Sequence, residues 1–147
     1  MQSHASYLAF DLGASSGRAL LVHFDGTRFL PTEVHRFENG PVQTGDGLFW
    51  DAPRLFNEIK TGIRACSDRG ARLSAIGIDT WGVDFALLDH SGELLAPPRH
   101  YRDPRNAPAM DQAHQRVSRQ RIYESTGIQF MPLNTLDQLV AEAAAPE

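Results

Sequence analysis

The chain has a single cysteine, Cys66, which excludes an internal disulfide and suits a reducing compartment. No block of like charge occurs and the formal net charge is −4, so neither nucleic acid nor an anionic membrane surface is an expected partner. No stretch approaches the ~18 apolar residues that a membrane span needs. Met1–Ser6 is polar and lacks the apolar core of a secretory leader. A soluble, cytoplasmic protein is the expectation. The six histidines are scattered without paired ligand spacing, which argues against a zinc or iron site. Two phosphate signatures are missing as well: no Gly-Lys-Ser/Thr closes a P-loop, and no Gly-x-Gly-x-x-Gly opens a dinucleotide fold.

What is present is ordinary globular composition, 41% hydrophobic and 22% charged over 147 residues, enough for one domain with a real core. Strands are expected at 6–13, 17–24 and 28–37, the second turn being Asp25-Gly26-Thr27. Pro31 assigns the third strand to a sheet edge. Residues 38–48 read as a polar, glycine-rich loop. A helix then starts with Asp51 as N-cap and Pro53 in its first turn, carries Leu55, Phe56, Ile59, Ile63 and Cys66 at helical spacing, and stops at Gly70. Cys66 therefore reads as a buried thiol rather than a reactive one. Leu73–Asp79 is a short apolar strand, expected parallel to the first. A second apolar run, Phe85–Leu88, leads into a turn at Asp89-His90-Ser91-Gly92. The basic cluster Arg99, His100, Arg102 and Arg105, interrupted by Asp103 and prolines, reads as a solvated loop. Helical patterns return at 108–117, 119–125 and 135–144. Three antiparallel strands, a crossover helix, a parallel strand and C-terminal helices make an α/β chain of the ribonuclease H-like kind used by actin-like ATPases, an argument about fold alone.

Two stretches carry chemistry. Phe10-Asp-Leu-Gly-Ala-Ser-Ser-Gly-Arg18 reads as a strand, a tight turn of small residues and a returning strand. Such a turn offers backbone N–H groups and two hydroxyls to one anion, with Arg18 adding a fixed positive charge. Gly13 and Gly17 are assigned the backbone freedom that the turn needs. Asp11, on the strand before it, is placed to hold Mg²⁺ through water beside phosphates. The plainer reading is an ordinary turn, since Asp-Leu-Gly and Ser-Ser-Gly are common in turns.

Ile78-Asp-Thr-Trp-Gly-Val-Asp84 is the second stretch. Gly82 admits a ligand close to the backbone, Trp81 offers an apolar wall, and Asp79, Thr80 and Asp84 supply the hydrogen-bonding groups that a polyhydroxylated sugar requires. The competing reading is a strand end, with Asp79 and Thr80 satisfying backbone groups and Trp81 in the core.

These two stretches, together with His35-Arg-Phe-Glu-Asn-Gly40, Tyr101-Arg-Asp103, Ser125-Thr-Gly-Ile-Gln-Phe130 and Asn134-Thr-Leu136, resemble the FGGY family of carbohydrate kinases from about residue 7 to 140. Within it they are most similar to the branch acting on L-rhamnulose. The resemblance implies phosphoryl transfer from ATP, with Mg²⁺, to the 1-hydroxyl of L-rhamnulose in rhamnose catabolism. It assigns Ala14, Ser15, Ser16, Gly17 and Arg18 to the ATP phosphates, Gly82 to the sugar and Asp11 to Mg²⁺. Trp81, Thr80 and Asp84 are included as sugar-site neighbours. Asn134 and Thr135 fall near the segment lining the sugar pocket in related kinases, Asn134 being expected as a helix N-cap. Family members have two actin-like domains and take their catalytic base from a later aspartate. The chain therefore reads as the N-terminal portion of the first domain, without the second domain or the base, and no turnover is expected from it alone. Asp79, Asp84 and Asp103 are the local carboxylates weighed as substitutes, Asp103 being expected to order its own loop. The alternatives are a non-catalytic actin-like fragment that binds nucleotide or a partner, and a kinase of another ketose or polyol. Leu136, Leu139 and Val140 are expected to form an exposed apolar face that either the missing part covers or self-association buries.

Overall fold

The computed structural model describes residues 5–45 and 47–145 and divides into two compact units. Met1–His4, Asp46 and Pro146–Glu147 lie outside the described residues, and with them most of the polar N-terminus and one position of the 38–48 loop. The first unit runs to Gly40 and resumes over Asp51–Trp81. Its sheet has the order β3-β2-β1-β6: β1 (Ala5–Leu12), β2 (Ser16–Phe24) and β3 (Phe29–Glu38) form antiparallel pairs, and β6 (Leu73–Thr80) joins β1 in parallel. Pro31 sits on β3, an edge strand, where its missing N–H costs no ladder bond.

Alternation along β1 puts Leu8, Phe10 and Leu12 on one face, all buried with Ala19, Phe37 and Cys66. Helix α1 (Ala52–Ser67) covers that face with Leu55, Ile59 and Ile63. Asp51 caps it by accepting from the Arg54 N–H at 2.9 Å. At its far end the N–H groups of Gly70 and Ala71 reach back to Ser67 and Cys66, and Gly70 takes φ +68°. Gly62 permits the close approach, since a Cβ there would stand 2.7 Å from the Phe10 ring. Burial pushes the Cys66 thiol up. Phe56 departs from the expected core: it is 61% exposed, one position off the buried stripe, with Lys60 over its ring at 4.9 Å.

The second unit comprises Pro41–Trp50 and the chain from Gly82. The expected loop at 38–48 instead holds a short antiparallel hairpin, β4 (Val42–Thr44) with β5 (Gly47–Phe49). It is fixed from afar, by Leu48 N–H donating to Asp103 at 2.9 Å and Arg99 lying over the Phe49 ring at 4.3 Å. The 99–105 stretch is likewise packed rather than solvated: His100 and Asp103 are buried, His100 lies 4.2 Å from Trp50 and 4.4 Å from Tyr101, and Arg105 pairs with Glu142 at 2.6 Å. The run at 85–88 forms only a bridge, Leu88 with Leu94, around the turn in which the Asp89 carboxylate accepts from Ser91 and Glu93. Helices α2 (Asn106–Arg116), α3 (Arg119–Thr126) and α4 (Thr135–Ala143) follow, with Ala109, Ala113 and Ala141 buried.

Candidate functional site

The turn between β1 and β2 closes with Gly13 N–H donating to Ser16 O at 3.0 Å. Neither Gly13 nor Gly17 has a positive φ, so backbone freedom is not what selects glycine here. Space is: a Cβ on Gly17 would stand 2.1 Å from the Phe37 ring, and one on Gly13 would stand 2.8 Å from Ser16 O. Asn39 organises the turn. Its backbone N–H donates to Ser15 O at 3.0 Å and its side-chain amide to Gly13 O at 2.8 Å. Arg54 of α1 holds Asn39 in turn, through Asn39 Oδ1 at 3.1 Å and Glu38 O at 3.0 Å.

The carbonyls of Gly13, Ser15 and Ser16 are thus tied off, while among the described residues the N–H groups of Ala14 and Ser15 and the hydroxyls of Ser15 and Ser16 make no hydrogen bond. A loop so arranged presents donors and withholds acceptors, which is the polarity that an anion requires. Asn39 and Arg54 were not singled out from the sequence as site residues. Asn39 stands inside the His35–Gly40 motif, but only its contacts across the sheet give it a role.

Asp11 and Arg18 face each other across β1 and β2, and the guanidinium donates to Asp11 Oδ2 at 2.7 and 2.9 Å. On the other side of β1 the parallel ladder pairs Asp11 with Asp79 and Leu12 with Thr80. The end of β6 therefore lies beside the turn, and two carboxylates stand on adjacent strands. Asp79 and Thr80 are exposed and make no side-chain hydrogen bond among the described residues, so capping a strand end does not account for them. Trp81 packs against the first unit's core, as the strand-end reading holds.

Gly82 opens the second unit. A Cβ there would meet nothing within 4 Å and φ is not positive, so neither packing nor backbone conformation requires glycine at this corner. The corner is held by α4: Thr135 Oγ1 donates to Val83 O at 2.6 Å, and buried Gln138 donates to Val83 O at 3.2 Å and Leu133 O at 2.8 Å. Asn134 occupies the N-cap position without capping through its side chain, which donates to Gln129 O at 2.8 Å instead. Asp84 accepts from Trp50 Nε1 at 2.5 Å, and Asp103 accepts from Leu48 and Arg105 N–H groups, ordering its loop as expected. Burial holds the His100 imidazole below its ordinary 6.5, despite the opposing pull of Asp84. Arg102 N–H donates to His100 Nδ1 at 3.0 Å, which fixes that nitrogen as an acceptor.

Residues 6–140 match the model of the N-terminal domain of the FGGY family of carbohydrate kinases. A rhamnulokinase from Halalkalibacterium halodurans is 44% identical over 91% of this chain, which spans 28% of that protein's length. Among solved structures, a gluconate kinase from Lactobacillus acidophilus superposes with a TM-score of 0.78 over 97% of this chain and 29% of its own, at 18% identity. A ligand-bound xylulose kinase from the same organism gives 0.77 over 95% of this chain and 28% of its own, also at 18% identity. Those two structures establish the fold, that of the actin-like ATPases, and the sequence match extends across it. The chain belongs to the FGGY family of carbohydrate kinases.

Proposed function

We propose that the chain supplies the phosphate grip and the sugar corner of an ATP-dependent kinase that phosphorylates L-rhamnulose at its 1-hydroxyl. The observation that carries this reading is the polarity of the 13–16 turn, with carbonyls tied off by Asn39 and by the turn itself while N–H groups and hydroxyls stay available. Ala14, Ser15, Ser16 and Gly17 would hold the ATP phosphates. The Asp11–Arg18 pair is about half exposed, and such pairs are worth ~0–1 kcal/mol, so Arg18 is readily transferred to a phosphate and Asp11 to a cation.

Among the described residues no cluster of three or more His, Cys, Asp or Glu is placed to hold a metal. One or two carboxylates completed by phosphates and water is the donor set that Mg²⁺ favours, and Asp11 with Asp79 alongside fits it. When bound, Mg²⁺ would neutralise charge on the transferred phosphoryl group. Gly82 would receive the ketose, with its sequence neighbours Thr80, Trp81 and Asp84 as further candidates. The choice of L-rhamnulose rests on the Asp-Thr-Trp-Gly-Val-Asp block and on the likeness to the H. halodurans rhamnulokinase.

Asp84 and Asp103 are engaged with Trp50 and with the β5 hairpin, which argues against either as the base. Positioning and charge stabilisation from several parts act together in phosphoryl transfer. The chain alone should accordingly bind MgATP without turnover. Calorimetry on wild type and Ser15→Asp tests the grip, since a carboxylate at this exposed position repels phosphate without disturbing the core. A loss of tenfold or more in MgATP affinity is expected, about 1.4 kcal/mol. Equal affinity in the two proteins, or L-rhamnulose-dependent ATP consumption by this chain, overturns the corresponding part of the reading.

A further inference from the structure

Arg54 breaks a local rule. Asp51 caps α1, which makes Arg54 the third helical residue. A capping box has Glu or Gln there, reaching back to the cap, and the helix field disfavours a cation. No acidic residue in that first turn offsets the charge. The half-buried guanidinium serves another element instead. Nη1 donates to Glu38 O at 3.0 Å and Nη2 to Asn39 Oδ1 at 3.1 Å, so one planar fork holds the last residue of β3 and the residue after it. A residue placed against the preference of its own helix and in favour of a neighbouring strand marks a site rather than a scaffold.

The chemistry of that contact sets the polarity of the phosphate turn. A primary amide can present either its oxygen or its nitrogen to a neighbour, and the two orientations differ little in shape. Guanidinium has donors and no acceptor, so beside Arg54 only the oxygen of Asn39 is favourable. The Asn39 NH2 is thereby directed at Gly13 O, to which it donates at 2.8 Å. Turned over, the amide would set its oxygen against the Gly13 carbonyl and its N–H groups against a cation. Asn39 backbone N–H separately holds Ser15 O at 3.0 Å, so Asn39 stays beside the turn in either orientation. What Arg54 decides is whether Gly13 O is tied off. Asp51 completes the series of contacts, its carboxylate accepting from the Arg54 backbone N–H at 2.9 Å and fixing where that side chain starts.

We infer that Arg54 is a positioning residue of the phosphate grip: acting through the Asn39 amide, it keeps the 13–16 turn in its donor-presenting form before nucleotide arrives. This deepens the kinase reading and rests on the phosphate grip proposed there. Preorganisation lowers the ordering cost of binding, so its loss is read in affinity. Calorimetry with MgATP on the 147-residue chain, Arg54→Met, Arg54→Lys, Asn39→Ala and the Arg54→Met/Asn39→Ala double variant tests it, with urea unfolding and ¹⁵N spectra of each. Arg54→Met should lose roughly fivefold in affinity, and Arg54→Lys, which still donates to Oδ1, should lose less. In the Asn39→Ala background Arg54→Met should change affinity by less than about twofold. The urea midpoint of Arg54→Met should stay near that of wild type, because removing a cation from the start of α1 offsets the lost hydrogen bonds. Without nucleotide, the Asn39 side-chain amide and the Ala14 and Ser15 backbone amides should shift in Arg54→Met, while amides at the far end of α1 stay in place.

Wild-type affinity in Arg54→Met overturns the inference and leaves the grip standing. An equal loss with and without Asn39 overturns it too, since the guanidinium would then act by its charge alone. An unmoved Asn39 side-chain amide does the same whatever the affinities. A lowered urea midpoint with affinity kept would make Arg54 an ordinary clamp and also overturns the inference. Absence of MgATP binding in wild type overturns the phosphate grip and this inference together.

Discussion

His100 shows how one side chain ties stability to pH. It is buried between Trp50 and Tyr101 and accepts from the Arg102 N–H, so protonation at Nδ1 would cost that bond and bury a charge. Its folded pKa lies below the ordinary 6.5, so the unfolded chain takes up the proton first as pH falls. The contribution is fully present above 6.5 and is lost as pH falls through the folded pKa. Urea unfolding between about pH 8 and pH 5 should show stability declining below about 6.5. In His100→Phe the same decline should be shallower, on a lower plateau because Arg102 N–H loses its acceptor. A profile as steep in the variant as in wild type contradicts this. Little of it was legible beforehand: Arg99, His100, Arg102 and Arg105 look like a solvated cluster in one dimension. Their partners, Trp50, Asp103 and Glu142, become neighbours only through the fold.

At the scale of elements, the local signals carried furthest where one stretch of chain contains its own reasons. Helix α1 holds its cap, its apolar stripe and its glycine stop within twenty residues of sequence, and the structure follows them. The exception, Phe56, adjoins the stripe and fits a helical pattern by spacing alone, which does not reveal how wide the buried face is. The β4–β5 hairpin was illegible because its bond to Asp103 spans 55 positions. The site's two motifs stood out by residue type, whereas the reason for Gly17 lies in the Phe37 ring on another strand.

Gly62 offers a test in which two effects oppose. Alanine is a better helix former than glycine by ~1 kcal/mol. A Cβ at this position, however, would stand 2.7 Å from the Phe10 ring and 2.9 Å from Ala19 Cβ, and overpacking a core costs ~1–3 kcal/mol. Gly62→Ala should therefore destabilise, by roughly 1 kcal/mol net in urea unfolding. A stabilised variant would mean that α1 sits further from the sheet than described.

Taken as a whole, the molecule leaves apolar surface uncovered. Helix α1 packs over β3, β2 and β1, and the parallel ladder sets Ile76 and Ile78 of β6 beside buried Leu8 and Phe10, yet these isoleucines remain 47% and 54% exposed. Leu136 and Leu139 of α4 are similarly open, as the pattern of that helix suggested, whereas Val140 is half-buried. Patches of this kind drive association. Sedimentation should show weight-average mass rising with concentration, and Ile78→Lys should reduce the rise. Constant monomer mass at high concentration would contradict it.

The central claim is that the 13–18 turn grips nucleotide phosphates through donors left available by Asn39. Its most direct measurement is a titration of the ¹⁵N-labelled chain with MgADP, following each backbone amide. The largest and saturable shifts are predicted at Ala14, Ser15, Ser16 and Gly17, and they should shrink in Asn39→Ala. Saturable binding that leaves those four amides unmoved, or shifts centred elsewhere in the chain, would contradict the account.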